Sequence, residues 1–103
     1  MNRSDILAAA LSIIDGPRNE DYGPARENFR RIAVGVNLIA TEALERHGQI
    51  GREHVALMMI WTKIARLLET PGHVDSWVDI CGYAALGGEL TARDEKVDGQ
   101  DHT

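Results

Sequence analysis

The chain has 103 residues, of which 26% are charged, and a formal net charge of −5; this balance fits one small globular domain. The negative charge disfavours non-specific binding to DNA or RNA, since such binding needs a basic face, whereas a small nucleotide needs only a local cationic pocket. No apolar run approaches the roughly 20 residues of a membrane span. The single cysteine, Cys81, excludes an internal disulfide and favours a reducing, intracellular setting. We expect Cys81 to be a buried small apolar residue.

Helical periodicity predicts four helices and no strand. The first spans about positions 4–15, with Ser4 as its N-cap and Gly16-Pro17 as its stop. A polar loop, RNEDYG at 18–23, precedes the second helix. That helix spans about 24–47, because a proline suits its first turn, a glycine follows its end, and apolar residues recur between them at helical spacing.

The second half of the chain gives two further helices and a polar end. The third helix spans about 52–69 and is ended by Pro71-Gly72, and the fourth spans about 74–90. Positions 92–103 lack an apolar stripe and are predicted to be a disordered tail. The domain organisation is therefore a single helical domain at 1–91 followed by that tail.

The third and fourth predicted helices are apolar on nearly every side. Such helices are usually buried on every side, and a monomer of this size has little room to bury two of them. We therefore expect a homodimer or a higher homo-oligomer in which helices of several copies complete one bundle.

Four charged residues lie among the apolar residues toward the end of the third helix and the start of the fourth. Asp75 and Asp79 lie four apart and share one helix face, and Lys63 and Arg66, three apart, share another. Because the intervening turn folds the fourth helix back on the third, the two cations can approach the two acids. They form either a buried ion-pair cluster that fixes helix register, or a site in which the acids hold Mg²⁺ and the cations face a phosphate.

Other residues could complete such a site. Glu27 is a candidate third metal ligand or base, and equally an acid that favours a helix N-terminus. Tyr22 either belongs to an ordinary helix-entry turn or places its ring against a base. His73 is either an ordinary loop histidine or a residue that reaches a metal or a phosphate. The further candidate contacts to base, sugar or phosphate are Arg18, Asn28 and Tyr83.

Three motifs together resemble a family of small helical phage and prophage proteins of uncharacterised function. The resemblance covers about positions 4–90 and implies a phage or prophage origin without supplying an activity. The motifs are RNEDYGPARENF at 18–29, KIAR at 63–66 and HVDSWVDICGY at 73–83.

The arrangement is also similar, more distantly, to the all-α nucleoside triphosphate pyrophosphohydrolases of the MazG-like superfamily. That resemblance implies a four-helix, MazG-like bundle in which acids on two helices bind Mg²⁺ and a nucleotide is cleaved between its α and β phosphates. Here Glu27, Asp75 and Asp79 would be the metal and catalytic residues, and Lys63 and Arg66 would neutralise phosphate charge. The sequence departs from the superfamily's paired Glu-x-x-Glu and Glu-x-x-Asp signatures: its two aspartates are four apart, and its glutamate has no acidic partner at the expected spacing.

The sequence thus predicts a phage-type nucleotide-binding protein. If the protein is catalytic, we expect it to be a Mg²⁺-dependent nucleoside triphosphate pyrophosphohydrolase. The alternative is a non-catalytic phage protein that sequesters a nucleotide signal or inhibits a host defence protein. A third interpretation is a structural phage accessory protein whose charges are internal ion pairs.

Overall fold

The structure is a computed structural model that describes the backbone of residues 1–15 and 22–98, and the side chains of 1–15 and 25–93. These residues contain four helices and no strand, which confirms the all-helical class. None of the described helices is long and apolar enough to cross a membrane. The helices are α1 (Arg3–Asp15), α2 (Tyr22–His47), α3 (Arg52–Glu69) and α4 (Val74–Asp98).

A reciprocal pair of hydrogen bonds begins α1. The backbone N–H of Asp5 donates to Asn2 Oδ1 at 2.9 Å, and the backbone N–H of Asn2 donates to Asp5 Oδ2 at 3.0 Å. Asn2 is therefore the N-cap, and the prediction of Ser4 in that role is wrong, because the helix already begins at Arg3 and Ser4 lies within its first turn. The predicted stop at Gly16-Pro17 lies outside the described residues.

Helix α2 is longer than the sequence predicts at its start and ends where the sequence predicts. It begins at Tyr22, two residues before Pro24. Its end is fixed by Gly48, which has a φ of +76° and donates its backbone N–H to the Leu44 carbonyl at 3.0 Å. Glycine adopts this left-handed conformation without steric cost, so it closes the helix after His47.

A histidine caps the next helix. The backbone N–H of Gly51 donates to Nδ1 of His54 at 2.9 Å, and the His54 backbone N–H donates to the Gly51 carbonyl at 3.1 Å. His54 is buried, and its ring lies 5.4 Å, centroid to centroid, from that of His47 at the end of α2. This compact joint sets the reversal of direction between α2 and α3.

The bounds of α3 match the prediction, and α4 begins as predicted but ends later. It continues to Asp98, so its predicted end at Leu90 is wrong and residues 92–98 belong to the helix. The stretch at 92–98 contains an alanine, an arginine, a glutamate and a lysine, which form helix readily even without an apolar stripe. Positions 99–103 of the predicted tail lie outside the described residues.

The helices form a layer with α3 in the middle. In the part of the chain that the structure describes, α3 packs against both α2 and α4, whereas α2 and α4 do not touch each other and α1 touches none of the three. One copy therefore presents an open three-helix layer, and the closed bundle expected from the sequence is not formed within it.

The contact between α2 and α3 depends on a tryptophan lying over a glycine. Trp61 of α3 donates its indole N–H to the backbone carbonyl of Arg31 at 2.8 Å. The same ring covers Gly35, one turn further along α2, so closely that any Cβ at that position would overlap the indole. The absence of a side chain at Gly35 thus lets the two helices approach.

Small residues also bring α3 and α4 together. A Cβ at Gly87 would lie 2.8 Å from the Ala56 Cβ, which is closer than two non-bonded carbon atoms approach in proteins. This crossing of small side chains sets the separation of α3 and α4 near the start of α3.

We predict that Gly35→Ala destabilises the protein by about 1–3 kcal/mol, because its methyl group must displace the Trp61 indole. Gly82→Ala is the matched control, since Gly82 also lies in a helix and its added Cβ meets open space. This control should raise stability by up to about 1 kcal/mol through helix propensity. Urea denaturation measures both, and equal effects of the two substitutions would contradict the proposed packing.

Candidate functional site

One salt bridge joins the charged residues of α3 to those of α4. Nζ of Lys63 lies 3.1 Å from Oδ2 of Asp79, and their side chains are 27% and 45% exposed. The expected approach of a cation on α3 to an acid on α4 is therefore present. In a single copy the pair is reached by solvent, so it does not form the buried ion-pair cluster that was one interpretation of the sequence.

The two neighbouring charges have no partner among the side chains that the structure describes. Asp75 lies one turn before Asp79 on α4, and Arg66 lies about one turn after Lys63 on α3; both are exposed. Neither side chain has a hydrogen bond or an ion pair to any residue that the structure describes. The four charges predicted to act together thus divide into one salt bridge, Lys63–Asp79, and two oppositely charged side chains, Arg66 and Asp75, that this bridge does not include. All four lie beside the turn that joins α3 to α4.

Hydrogen bonds hold that turn in place. The Thr70 backbone N–H donates to the Arg66 carbonyl at 2.9 Å, and the Trp77 indole N–H donates to the Pro71 carbonyl at 3.0 Å. Nδ1 of His73 lies 2.7 Å from the hydroxyl oxygen of Ser76, which is fully buried. Because this contact uses Nδ1, His73 has Nε2 left for a ligand.

The structure does not bring Glu27 to the aspartates. Its carboxylate pairs with Arg30 at 3.0 Å on the exposed side of α2, and α2 does not contact α4 among the described residues. No group of three or more histidine, cysteine, aspartate or glutamate residues in the described part of the chain could hold a metal ion. A third ligand for Asp75 and Asp79 is therefore not supplied by the described residues of one copy.

Asn28 is the α2 residue with an unusual environment. Its amide oxygen is buried and has no hydrogen-bond partner in the described part of the structure. A buried unsatisfied oxygen costs about 1–3 kcal/mol, so such groups often mark a place where a ligand or a partner completes the contact. Asn28 precedes Arg31 by one turn, on the half of α2 that pairs with the end of α3.

Sequence reasoning missed the ion pair that fastens that end. Nη1 of Arg31 lies 2.7 Å from Oε2 of Glu69, at the last residue of α3. The two side chains are only 25% and 35% exposed. The residues are 38 positions apart, and only knowledge that α2 and α3 run side by side in opposite directions would have paired them.

The remaining candidates divide between the site and its surroundings. Tyr83 is half-buried one turn after Asp79 and lines the apolar grooves beside α3 and α4. Arg18 and the side chain of Tyr22 lie outside the described residues. Cys81, which the sequence suggested was a buried apolar residue, is exposed, because it lies on the side of α4 that no other described helix covers.

The donor chemistry of the two aspartates suits Mg²⁺ in one specific circumstance. Mg²⁺ is usually held by one or two carboxylates together with substrate phosphates and water, and seldom by a complete cage of protein ligands. Asp75 and Asp79 supply hard oxygen donors on one helix face. They therefore fit a cation that arrives with a nucleotide, and do not fit one that binds the protein alone.

The described residues thus form a small all-helical protein with a salt bridge between α3 and α4 beside the turn that joins them. The chain belongs to a family described as a domain of unknown function, DUF6378, whose match covers residues 5–91. It is 46% identical over 81 residues to the Gene 55 protein of Mycobacterium phage L5, covering 79% of this chain and 49% of that protein.

A second phage relative gives the same result. The chain is 40% identical over 95 residues to the Gene 55 protein of Mycobacterium phage D29, covering 92% of this chain and 58% of that protein. The chain thus spans about half the length of the curated relatives it matches. No solved structure matches it. The predicted relation to small phage proteins is confirmed, and the distant likeness to MazG-like enzymes stays a prediction.

We predict that the double variant Asp75→Asn with Asp79→Asn keeps the ligand-free stability within about 1 kcal/mol of the parent, because the Lys63–Asp79 bridge is partly exposed to solvent. A buried cluster would behave differently, since removing one partner of a buried pair costs about 3–5 kcal/mol. Urea denaturation without ligands measures the difference. A loss of several kcal/mol would show that the aspartates are architectural.

Proposed function

We propose that this protein binds a nucleotide through its phosphates beside the α3–α4 turn. The observation that carries the proposal is that Arg66 and Asp75, next to the Lys63–Asp79 bridge, have no ion-pair or hydrogen-bond partner for their side chains among the described residues. A purely structural cluster gains most when each charge has a partner, whereas an ionic site keeps charges available for its ligand. Arg66 suits a phosphate because its planar guanidinium can donate two parallel hydrogen bonds.

We propose that Mg²⁺ enters with the nucleotide and is held by Asp75 and Asp79. When bound, the cation would neutralise phosphate charge and lower the pKa of a water molecule that it binds. Once Asp79 turns toward the cation, the ammonium group of Lys63 loses its partner and becomes available to a phosphate oxygen. The bridge seen in the structure is then the resting arrangement of the site.

The other candidate residues take supporting roles in this proposal. Nε2 of His73 faces a phosphate, because Nδ1 is engaged by Ser76. The residues proposed to contact base or sugar are Arg18, Tyr22, Asn28 and Tyr83. Glu27 acts as base or third metal ligand only if another copy brings it to the aspartates, because α2 and α4 of one copy do not touch in the described residues.

We also propose that the active form is a homo-oligomer in the cytoplasm of the bacterial host. The open three-helix layer supports this, since many of its large apolar side chains are exposed in one copy. In the catalytic version the assembled protein is a nucleoside triphosphate pyrophosphohydrolase that releases pyrophosphate.

One observation favours a second candidate, a non-catalytic binder. The described residues of one copy hold no cluster of three acids, and capturing a nucleotide does not require one. In that version the phage protein sequesters a nucleotide signal or, by a surface contact, inhibits a host defence protein.

A ligand screen distinguishes these versions. Nucleoside triphosphates and cyclic nucleotides are tested with and without Mg²⁺, with thermal shift and pyrophosphate release as the two readouts. We expect Mg²⁺ alone to leave the melting temperature unchanged. A nucleotide with Mg²⁺ should raise stability by about 2.7 kcal/mol at a concentration 100 times its Kd. A shift with turnover supports the enzyme, a shift alone supports the binder, and no shift with any nucleotide contradicts the proposal.

Matched variants locate the response. Asp75→Asn should abolish the Mg²⁺-dependent part of the shift, because it removes a carboxylate that the cation needs. Glu89→Gln is the control, since Glu89 is an exposed acid on the same helix, distant from the turn. It should leave the shift unchanged, and equal losses in the two variants would place the binding site elsewhere.

A further inference from the structure

The chain exposes far more surface than a compact monomer of its mass. A folded 11.4 kDa protein is expected to expose about 5,800 Å², and this chain exposes 8120 Å². Its radius of gyration is 17.8 Å, against about 13 Å for a compact domain of this length. The surplus of roughly 2,300 Å² is similar to the area that each subunit of a large obligate homodimer buries.

Helix α1 contributes to this surplus because it is exposed along its whole length. None of its residues is buried, and it touches no other described helix. Leu7, Leu11 and Ile14 recur at the spacing of one helix face, and they are 68%, 59% and 60% exposed. An isolated helix of 13 residues is only marginally stable in water, so α1 needs a surface against which to pack.

A groove of suitable character runs along α3 and α4. Its volume is about 470 Å³, enough for two or three leucine-sized side chains. It lies beside the crossing of Ala56 and Gly87, where small residues leave the surface concave. Its lining includes Leu57, Ile60, Ala84 and Gly88.

We propose that α1 of a second copy of this chain docks into the α3–α4 groove, and that each copy gives its α1 to the other. A two-fold exchange of this kind repeats the same contact twice and closes the assembly. It buries the apolar face of α1 and the exposed floor of the groove together. The inference rests on the self-association in the proposed function, whose surface it specifies.

The second copy is the occupant that the surface area favours. The chain's own α1 lies away from its groove in the structure. The surplus area also exceeds what one 13-residue helix can cover, since such a helix is only about 20 Å long. A second copy that supplies both its α1 and its groove accounts for more of the exposed area than α1 folding back within one chain.

Filling the groove tests the docking surface. Gly88→Leu places a side chain in the groove, and Gly82→Leu is its control, because a Cβ at either glycine of α4 meets open space and only Gly88 lines the groove. Light scattering at micromolar concentration should give a dimer mass for the parent and for Gly82→Leu, with at least a tenfold weaker dimer for Gly88→Leu. Equal dimerisation of both variants would overturn the proposed surface.

The role of α1 in dimerisation is tested in the same way. Leu11→Glu introduces a charge on the apolar face of α1, and Ser12→Glu introduces the same charge at the next position, outside that face. We expect the Leu11 variant to be largely monomeric and the Ser12 variant to dimerise like the parent. Identical masses for the two variants would overturn the role of α1.

A cross-link distinguishes exchange from folding back. In a Cys81→Ser background, Leu11→Cys and Ala84→Cys are combined in one chain and oxidised. A disulfide-linked dimer on a non-reducing gel supports exchange, whereas an internal disulfide in a monomer, or no disulfide, overturns it. A parent chain that is monomeric contradicts the self-association itself. Because nucleotide-dependent thermal shift is a separate readout, the failure of ligand binding does not affect these outcomes.

Discussion

The approach of α2 to α3, with the Trp61 indole lying over Gly35, is the constraint on which the rest of the structure depends. Two features define this contact. The indole N–H donates a hydrogen bond to the Arg31 carbonyl, and the ring leaves no room for a side chain at position 35. The same stretch of α2 aims the Arg31 guanidinium at Glu69. The C-terminal end of α3 is thereby fixed, and with it the start of the turn that presents Arg66, His73 and Asp75.

The site beside that turn combines a rigid support with loosely held charges. The turn is fastened by backbone hydrogen bonds and by a fully buried serine. The Lys63–Asp79 bridge, in contrast, is partly exposed, and the two neighbouring charges have no partner in the described part of the chain. A bridge reached by water contributes little to stability, so it can open at small cost. That difference supports an ionic ligand more than it supports a structural cluster.

Periodicity and breaker residues predicted the parts of the fold that depend on local sequence. The bounds of α3, the start of α4 and the end of α2 at Gly48 all follow from caps and helix-ending residues. The approach of a cation of α3 to an acid of α4 followed from one short turn between the two helices, although the specific pair Lys63–Asp79 did not. The end of α4 did not follow, because polar residues with good helix propensity look the same in a disordered tail as in a solvated helix.

Contacts between distant positions could not be predicted in this way. The pairs Trp61–Gly35 and Arg31–Glu69 depend on the relative rotation of two helices, which a single sequence does not encode in any local pattern. The exposure of Cys81 was missed for a related reason. An apolar sequence predicts burial, whereas one copy of this chain covers only part of its apolar surface.

The middle position of α3 has a consequence for how the chain folds. Because the described helices pack only against their neighbours in sequence, α2 with α3 and α3 with α4, few contacts require the closure of a long loop. Helical proteins with such local topology fold in microseconds to milliseconds. Each copy would then acquire its layer quickly, and the slow, concentration-dependent step in reaching the assembled state would be the encounter of two already folded chains.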